Sequence, residues 1–117
     1  MRYEAPTSLD AAVTLLAEAG GSSRVLAGGT DLIIQMRGEF ITPDLVVDIK
    51  RIDEVCSIVA EEGGFRVGAA VTGAELGEHA DLKAAWPGVV EATELIGSTQ
   101  IQGRATMGGN LCNASPA

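Results

Sequence analysis

Cations are scarce in this chain. Its 117 residues carry 8 Lys and Arg against 16 Asp and Glu, a formal charge of −8 with the single histidine neutral. Proteins that track nucleic-acid phosphates depend on clustered Lys and Arg, so that class is excluded. Docking on an anionic membrane surface is disfavoured for the same reason. Aromatic residues are equally few: Tyr3, Phe40, Phe65 and Trp86. The two cysteines, Cys56 and Cys112, lie far apart with no CxxC pair, and His79 is alone. That argues against a disulfide framework and against a zinc or iron–sulfur site built by the chain itself. Both cysteines read as small buried hydrophobes or surface thiols. No apolar run approaches the roughly 18–20 residues of a membrane span. Met1 to Asp10 lacks the apolar stretch of a secretory signal, which makes the cytoplasm the expected compartment.

What is abundant is glycine, 15 residues in a chain that is otherwise 46% apolar and 21% charged. Those fractions are ordinary for a globular protein, and the length suits one domain or two very small ones. Many glycines in such a setting point to tight turns or to close backbone approach to a ligand.

The first fifty residues alternate. Tyr3 to Ala5 reads as a strand closed by Pro6, and Thr7 or Ser8 can cap a helix whose stripe is Leu9, Ala12, Val13 and Leu16. Gly20-Gly21 should end it in the left-handed region. Arg24 to Ala27 is a second strand, Gly28-Gly29-Thr30-Asp31 turns out of it, and Thr30 or Asp31 can cap a helix from Leu32 to Arg37. Leu45 to Ile49, after Pro43, is a mostly apolar run of the kind buried on both faces of a sheet. The order strand, helix, strand, helix, strand makes residues 1–53 a compact βαβαβ lobe.

Residues 54–117 begin a second, mixed α/β lobe. Val55 to Ala60 and Phe65 to Gly68 read as a hairpin about Glu61-Glu62-Gly63-Gly64. Thr72 and Glu75 form a capping box for a short helix, Asp81 to Ala85 is another, and Pro87 opens a third running to Ile96. From Gly97 to Gly109 no helical or strand periodicity is visible, so this stretch reads as a long irregular loop, a kind that is usually functional or mobile. No helix stop marks the end at Ala117, and the chain reads as cut short.

Two segments could carry chemistry. Ala27-Gly28-Gly29-Thr30-Asp31-Leu32 stands where a strand leads into a helix, so its backbone can approach a ligand and the following amides favour an anion such as pyrophosphate. Its spacing fits neither GxGxxG nor the P-loop pattern, and a plain capped turn explains it equally well. Thr106-Met107-Gly108-Gly109-Asn110 repeats the theme. Two such loops could close on one pyrophosphate from two sides, with backbone amides doing the binding in an acidic protein. Arg104 is the only cation near either segment, and its roles as phosphate partner and as solvated loop residue both stay open. His79 reads as a surface or capping residue, Glu61-Glu62 as a solvated hairpin tip, and Asp48 and Asp53 as capping groups.

The runs Val25-Leu26-Ala27-Gly28-Gly29-Thr30-Asp31-Leu32 and Pro43-Asp44-Leu45-Val46-Val47-Asp48-Ile49, followed by Gly97 through Thr106-Met107-Gly108-Gly109-Asn110 to Asn113-Ala114-Ser115-Pro116-Ala117, resemble the FAD-binding subunit of the molybdenum hydroxylases. That family takes in the carbon monoxide dehydrogenase medium subunit and the xanthine dehydrogenase flavin domain. The resemblance covers the whole chain in order. It implies a two-lobed α+β FAD-binding domain of the PCMH type, with Ala27 to Asp31 and Thr106 to Asn110 as the two loops on the FAD pyrophosphate. It also matches Ile96 and Gly97 to positions bordering the flavin or its pyrophosphate, and brings Asn110 and Ser115 within reach of the cofactor. The family's acidic FAD contact after Ala-Ser-Pro and its C-terminal half are missing, which implies a chain truncated or completed by another polypeptide.

On that resemblance the chain is an electron-transfer flavin subunit. A molybdopterin-binding large subunit would hydroxylate the substrate, an iron–sulfur small subunit would relay electrons to FAD, and FAD would reduce NAD, oxygen or another acceptor. No residue here needs to act as acid, base or nucleophile, because the cofactor carries the chemistry. The rival readings are a flavin-dependent oxidase of the wider PCMH fold group and a non-catalytic docking fragment.

Overall fold

The computed structural model describes residues 1–114. Three short strands, β1 (Arg2–Glu4), β2 (Ser23–Leu26) and β3 (Leu45–Asp48), form a parallel sheet in the order β1-β3-β2. The last strand in sequence is therefore the central one, pairing Tyr3 with Val46 on one side and Arg24 with Val46 on the other. All four β3 residues are buried, as expected for an apolar run in a parallel sheet covered by crossover helices.

Helix α1 (Leu9–Glu18) starts where Ser8 accepts a hydrogen bond from the Ala11 amide. It lays Ala12, Leu15 and Leu16 against Leu45, Val47 and Ile52, giving the first apolar cluster. The helix does not end on a left-handed glycine. Its C-cap is Ala19 in extended conformation, and neither Gly20 nor Gly21 has a positive φ. A Cβ on Gly21 would displace the Asp44 carboxylate, which accepts from the Ser22 amide. Helix α2 (Leu32–Arg37) buries none of its residues.

A single 3-10 turn (Asp53–Val55) separates this sheet from an antiparallel hairpin, β4 (Ile58–Glu61) and β5 (Gly64–Val67), so the strand expected from Val55 begins three residues later. Gly63, at φ +82°, supplies the left-handed turn residue between them. Three helices follow: α3 (Gly73–Glu78), α4 (Ala80–Ala85) and α5 (Pro87–Glu94). The Thr72–Glu75 capping box is formed in both directions. His79 caps α4, with Nδ1 accepting from the Leu82 amide, and its ring stands edge-on to Phe65. Val71, Leu76, Leu82 and Val90 make a second apolar cluster on the hairpin residues Ile58, Phe65 and Val67.

The stretch from Gly97 to Gly109 is not a loop. It holds two short helices, α6 (Thr99–Gln102) and α7 (Met107–Asn113), capped by the side chains of Ser98 and Thr106. Glycines at 108 and 109 concealed the periodicity, but a capped N-terminus outweighs their poor helix propensity over two turns. Ala114, left-handed at φ +53°, stops α7.

Candidate functional site

The two glycine segments meet across one cleft of about 400 Å³. From the first, every residue from Ala27 to Leu32 lines it, and from the second, Thr106, Gly108, Gly109 and Asn110. Ile49 and Ala69 add apolar wall. Met107, between these lining residues, packs instead against the second apolar cluster. Ile96 and Gly97 do not line the cleft; Gly97 sits at φ +62°, and a Cβ on it would strike the Ile101 side chain. Ser115 lies outside the described residues.

Each segment is positioned by its neighbours. The first leaves the end of β2, and Gly29 adopts φ +79°, a conformation costly for any residue with a Cβ. Gly28 is buried, and a Cβ on it would strike the Arg104 carbonyl, so the close approach it permits is to the second segment's own backbone. The second segment is pinned by the Thr72–Thr106 bridge and by the Gly73 amide donating to the Ala105 carbonyl at 2.9 Å. Thr106 caps α7 by accepting from the Gly109 amide at 2.9 Å, and Asn110 Nδ2 donates to the Thr106 carbonyl at 3.0 Å. A Cβ on Gly108 would come within 2.9 Å of Ala69 Cα. Gly109 is freer, since an added Cβ would meet only Thr106 Oγ1, at 2.8 Å.

Two hydrogen bonds tie the segments together. Arg104 Nε donates to the Gly28 carbonyl at 3.3 Å, and Asn113 Nδ2 donates to Asp31 Oδ2 at 2.9 Å. Asp31 does stand at the N-cap of α2, but its side chain makes no capping bond there.

Arg104 is not the only cation at hand. Arg24 lines the cleft, its position on β2 invisible without strand register. Lys50 reaches the first segment from beyond β3, with Nζ donating to the Ala27 carbonyl at 2.8 Å and to Asp48 Oδ1 at 2.9 Å. Asp48 also takes the Lys50 amide on Oδ1 and the Tyr3 hydroxyl on Oδ2. Burial pushes the Asp48 carboxyl up, but these hydrogen bonds outweigh it and hold the group below its ordinary value of 3.8. The hydrogen bond to Asp48 likewise pushes the Tyr3 hydroxyl above 10.0. A hint of this cluster was legible: a polar residue ending an apolar strand needs a partner.

The chemistry of this cleft suits an anion approached by backbone. The amides of Thr30, Asp31 and Leu32 in the first segment, and of Gly108 in the second, have no hydrogen-bond partner among the described residues. Free amides beside glycines on two segments of one cleft can bind a pyrophosphate without basic side chains. Fold and cleft together define an α+β domain with a glycine-lined cleft.

A family model described as the FAD binding domain in molybdopterin dehydrogenase matches residues 1–117, and this chain belongs to that family. It is 34% identical over 114 residues to the carbon monoxide dehydrogenase medium chain of Hydrogenophaga pseudoflava, an overlap of 97% of this chain and 40% of that one. It is 35% identical over 114 residues to the xanthine dehydrogenase FAD-binding subunit of Escherichia coli O157:H7, 97% of this chain and 39% of the relative. The reconstituted CO dehydrogenase structure from Oligotropha carboxidovorans matches with a TM-score of 0.93 at 35% identity, over 99% of this chain and 41% of that one. The α+β fold of the flavin domain is thus established, and FAD is the cofactor of the family. The chain spans about two fifths of the length of these relatives.

Proposed function

We propose that this chain is the FAD-binding part of the electron-transfer subunit of a molybdopterin-dependent hydroxylase or dehydrogenase. The observation that carries the reading is the meeting of Ala27–Leu32 and Thr106–Asn110 on one cleft. In this reading the two segments would hold the pyrophosphate of FAD through their backbone amides. FAD would supply one- and two-electron chemistry here, linking the iron–sulfur centres of a small partner subunit to NAD, oxygen or another acceptor. A large partner subunit holding molybdopterin hydroxylates the substrate. The protein's own residues bind and orient: Gly28 and Gly108 let the walls close, Thr106 holds α7 in place, and Ile49 and Ala69 keep water from one side. Residues 1–53 and 54–117 act as the two lobes that contribute one loop each. Among the described residues no helix is long and apolar enough to cross a membrane, and we place the assembly in the cytoplasm.

The test is acid release of flavin from the natively purified assembly, with its subunits identified. One FAD per copy, together with molybdenum and iron–sulfur subunits, is the expected result. Partners without flavin would reduce the chain to a docking element. A footprint sharpens it. Cys112 is exposed and lines the cleft, whereas Cys56 is half-buried with its thiol pushed up by burial and by Glu75 and Asp53. Added FAD should therefore slow alkylation of Cys112 and leave the already slow Cys56 unchanged.

A further inference from the structure

The carbonyls of Ala27 and Gly28 are consecutive along the first cleft segment, and each is held by a cation from a different lobe. Lys50 Nζ donates to Ala27 at 2.8 Å, and Arg104 Nε donates to Gly28 at 3.3 Å. Lys50 is not free to swing away. Its ammonium and its amide both sit on Asp48 Oδ1 at 2.9 Å, and the Tyr3 hydroxyl holds the other carboxylate oxygen. Asp48 is only 7% exposed, so releasing Lys50 would leave a buried charge with fewer partners.

A trans peptide unit is planar, with its C=O and N–H pointing in opposite directions. Holding the Ala27 carbonyl therefore orients the Gly28 amide, and holding the Gly28 carbonyl orients the Gly29 amide. In each case the N–H faces away from the cation. This matters most at glycine, where the backbone is otherwise free to rotate. A cation on a carbonyl also polarises the peptide and strengthens its N–H as a donor. Two of only 8 basic side chains in an acidic protein are committed in this way.

We propose that Lys50 and Arg104 are positioning residues of the anion-binding loop. They act at one remove, on the Ala27 and Gly28 carbonyls, and preset the peptide planes of residues 27–29 before the ligand arrives. The proposal rests on the FAD reading for the identity of the ligand, but the preset loop is a property of the protein without it.

The experiment uses the full-length flavin subunit in its assembly, with Lys50→Met and Arg104→Met made separately. Crystal structures of the FAD-free assemblies read the peptide planes directly, and FAD affinity is measured by flavin fluorescence. In the variants the planes of residues 27–29 should turn or lose order, with β3 and the β4–β5 hairpin unchanged, and FAD should bind about tenfold more weakly, as expected for losing a charge-assisted hydrogen bond. Lys50→Arg, which keeps a donor in reach, should restore both. Weaker FAD binding with unaltered loop planes would mean direct phosphate contact and would overturn the proposal. So would a displacement spread over β3, the mark of a merely structural role. Should Lys50→Met fail to fold, Arg104→Met carries the same outcomes alone. Unchanged FAD affinity in both variants sinks the positioning role and spares the FAD reading. A wild-type assembly without FAD affinity sinks the FAD reading, while the loop planes still decide the positioning.

Discussion

The two glycine pairs look alike as sequence and differ as structure. Gly28-Gly29 forms a turn out of a strand, one residue buried against the Arg104 backbone and the other in the left-handed region. Gly108-Gly109 lies in the first turn of a helix, one residue pressed on Ala69 and the other facing little but its own cap. Three of the four glycines are therefore required by chain-to-chain packing or by φ, and at Gly109 an added Cβ would press only on the helix's own cap. A doubled glycine beside a ligand site is not by itself a mark of ligand contact. The supports differ too: charged groups brace the first pair, and neutral caps and a β-bridge brace the second.

That contrast can be broken most forcefully at Gly28. Gly28→Ala drives a methyl into a backbone carbonyl that cannot rotate away, and should cost about 3 kcal/mol in urea unfolding, at the upper end for overpacking. Loss of flavin would follow from parting the two walls rather than from blocking the phosphate. Gly29→Ala should cost about 1–2 kcal/mol, the usual strain of a non-glycine residue at positive φ.

Acid separates the supports. Asp48 titrates below its ordinary value, so its contribution to stability is present above about pH 3.8 and is lost as pH falls through its lowered folded value. Tyr3 titrates above its ordinary value, so its contribution is present below about pH 10.0 and is lost as pH rises beyond it. An NMR titration downward from about pH 5 should therefore shift the amides of residues 27–31 before those of 106–110. Simultaneous movement would show that the first loop does not depend on Asp48. The smallest expected effect is Gly109→Ala, where better helix propensity offsets a strained cap and unfolding free energy should stay within about 0.5 kcal/mol. Flavin content should fall all the same. A stability loss as large as that of Gly28→Ala would erase the difference between the pairs.

Much of this was legible along the chain. The continuous apolar run at Leu45 could only be a strand covered on both faces, and it is the buried centre of the sheet. Thr72 and Glu75 announced their helix, and Ser8 its own, because a cap acts within one turn and needs no distant partner. The failures share a cause. Helices α6 and α7 were hidden because glycine-rich segments have weak local preference, and what holds α7 in place is the bridge from Thr72 and the Ala105 carbonyl bonded to Gly73. Lys50 was overlooked because nothing in an Asp-x-Lys spacing says that the lysine reaches back to a carbonyl just past another strand.

Sequence alone determined what local physics controls: the βαβαβ order, the capped helices, the hairpin, and the backbone-led chemistry that an acidic, glycine-rich chain could offer an anion. Tertiary structure decided what depends on residues far apart in the chain. It set which glycines face another segment and which face only their own cap, gave Arg104 and Asn113 their partners across the cleft, and put Lys50 behind the first loop. The reason is range. Caps and periodicity act over a few residues, whereas the orientation of a peptide plane at glycine is set only by what packs against it.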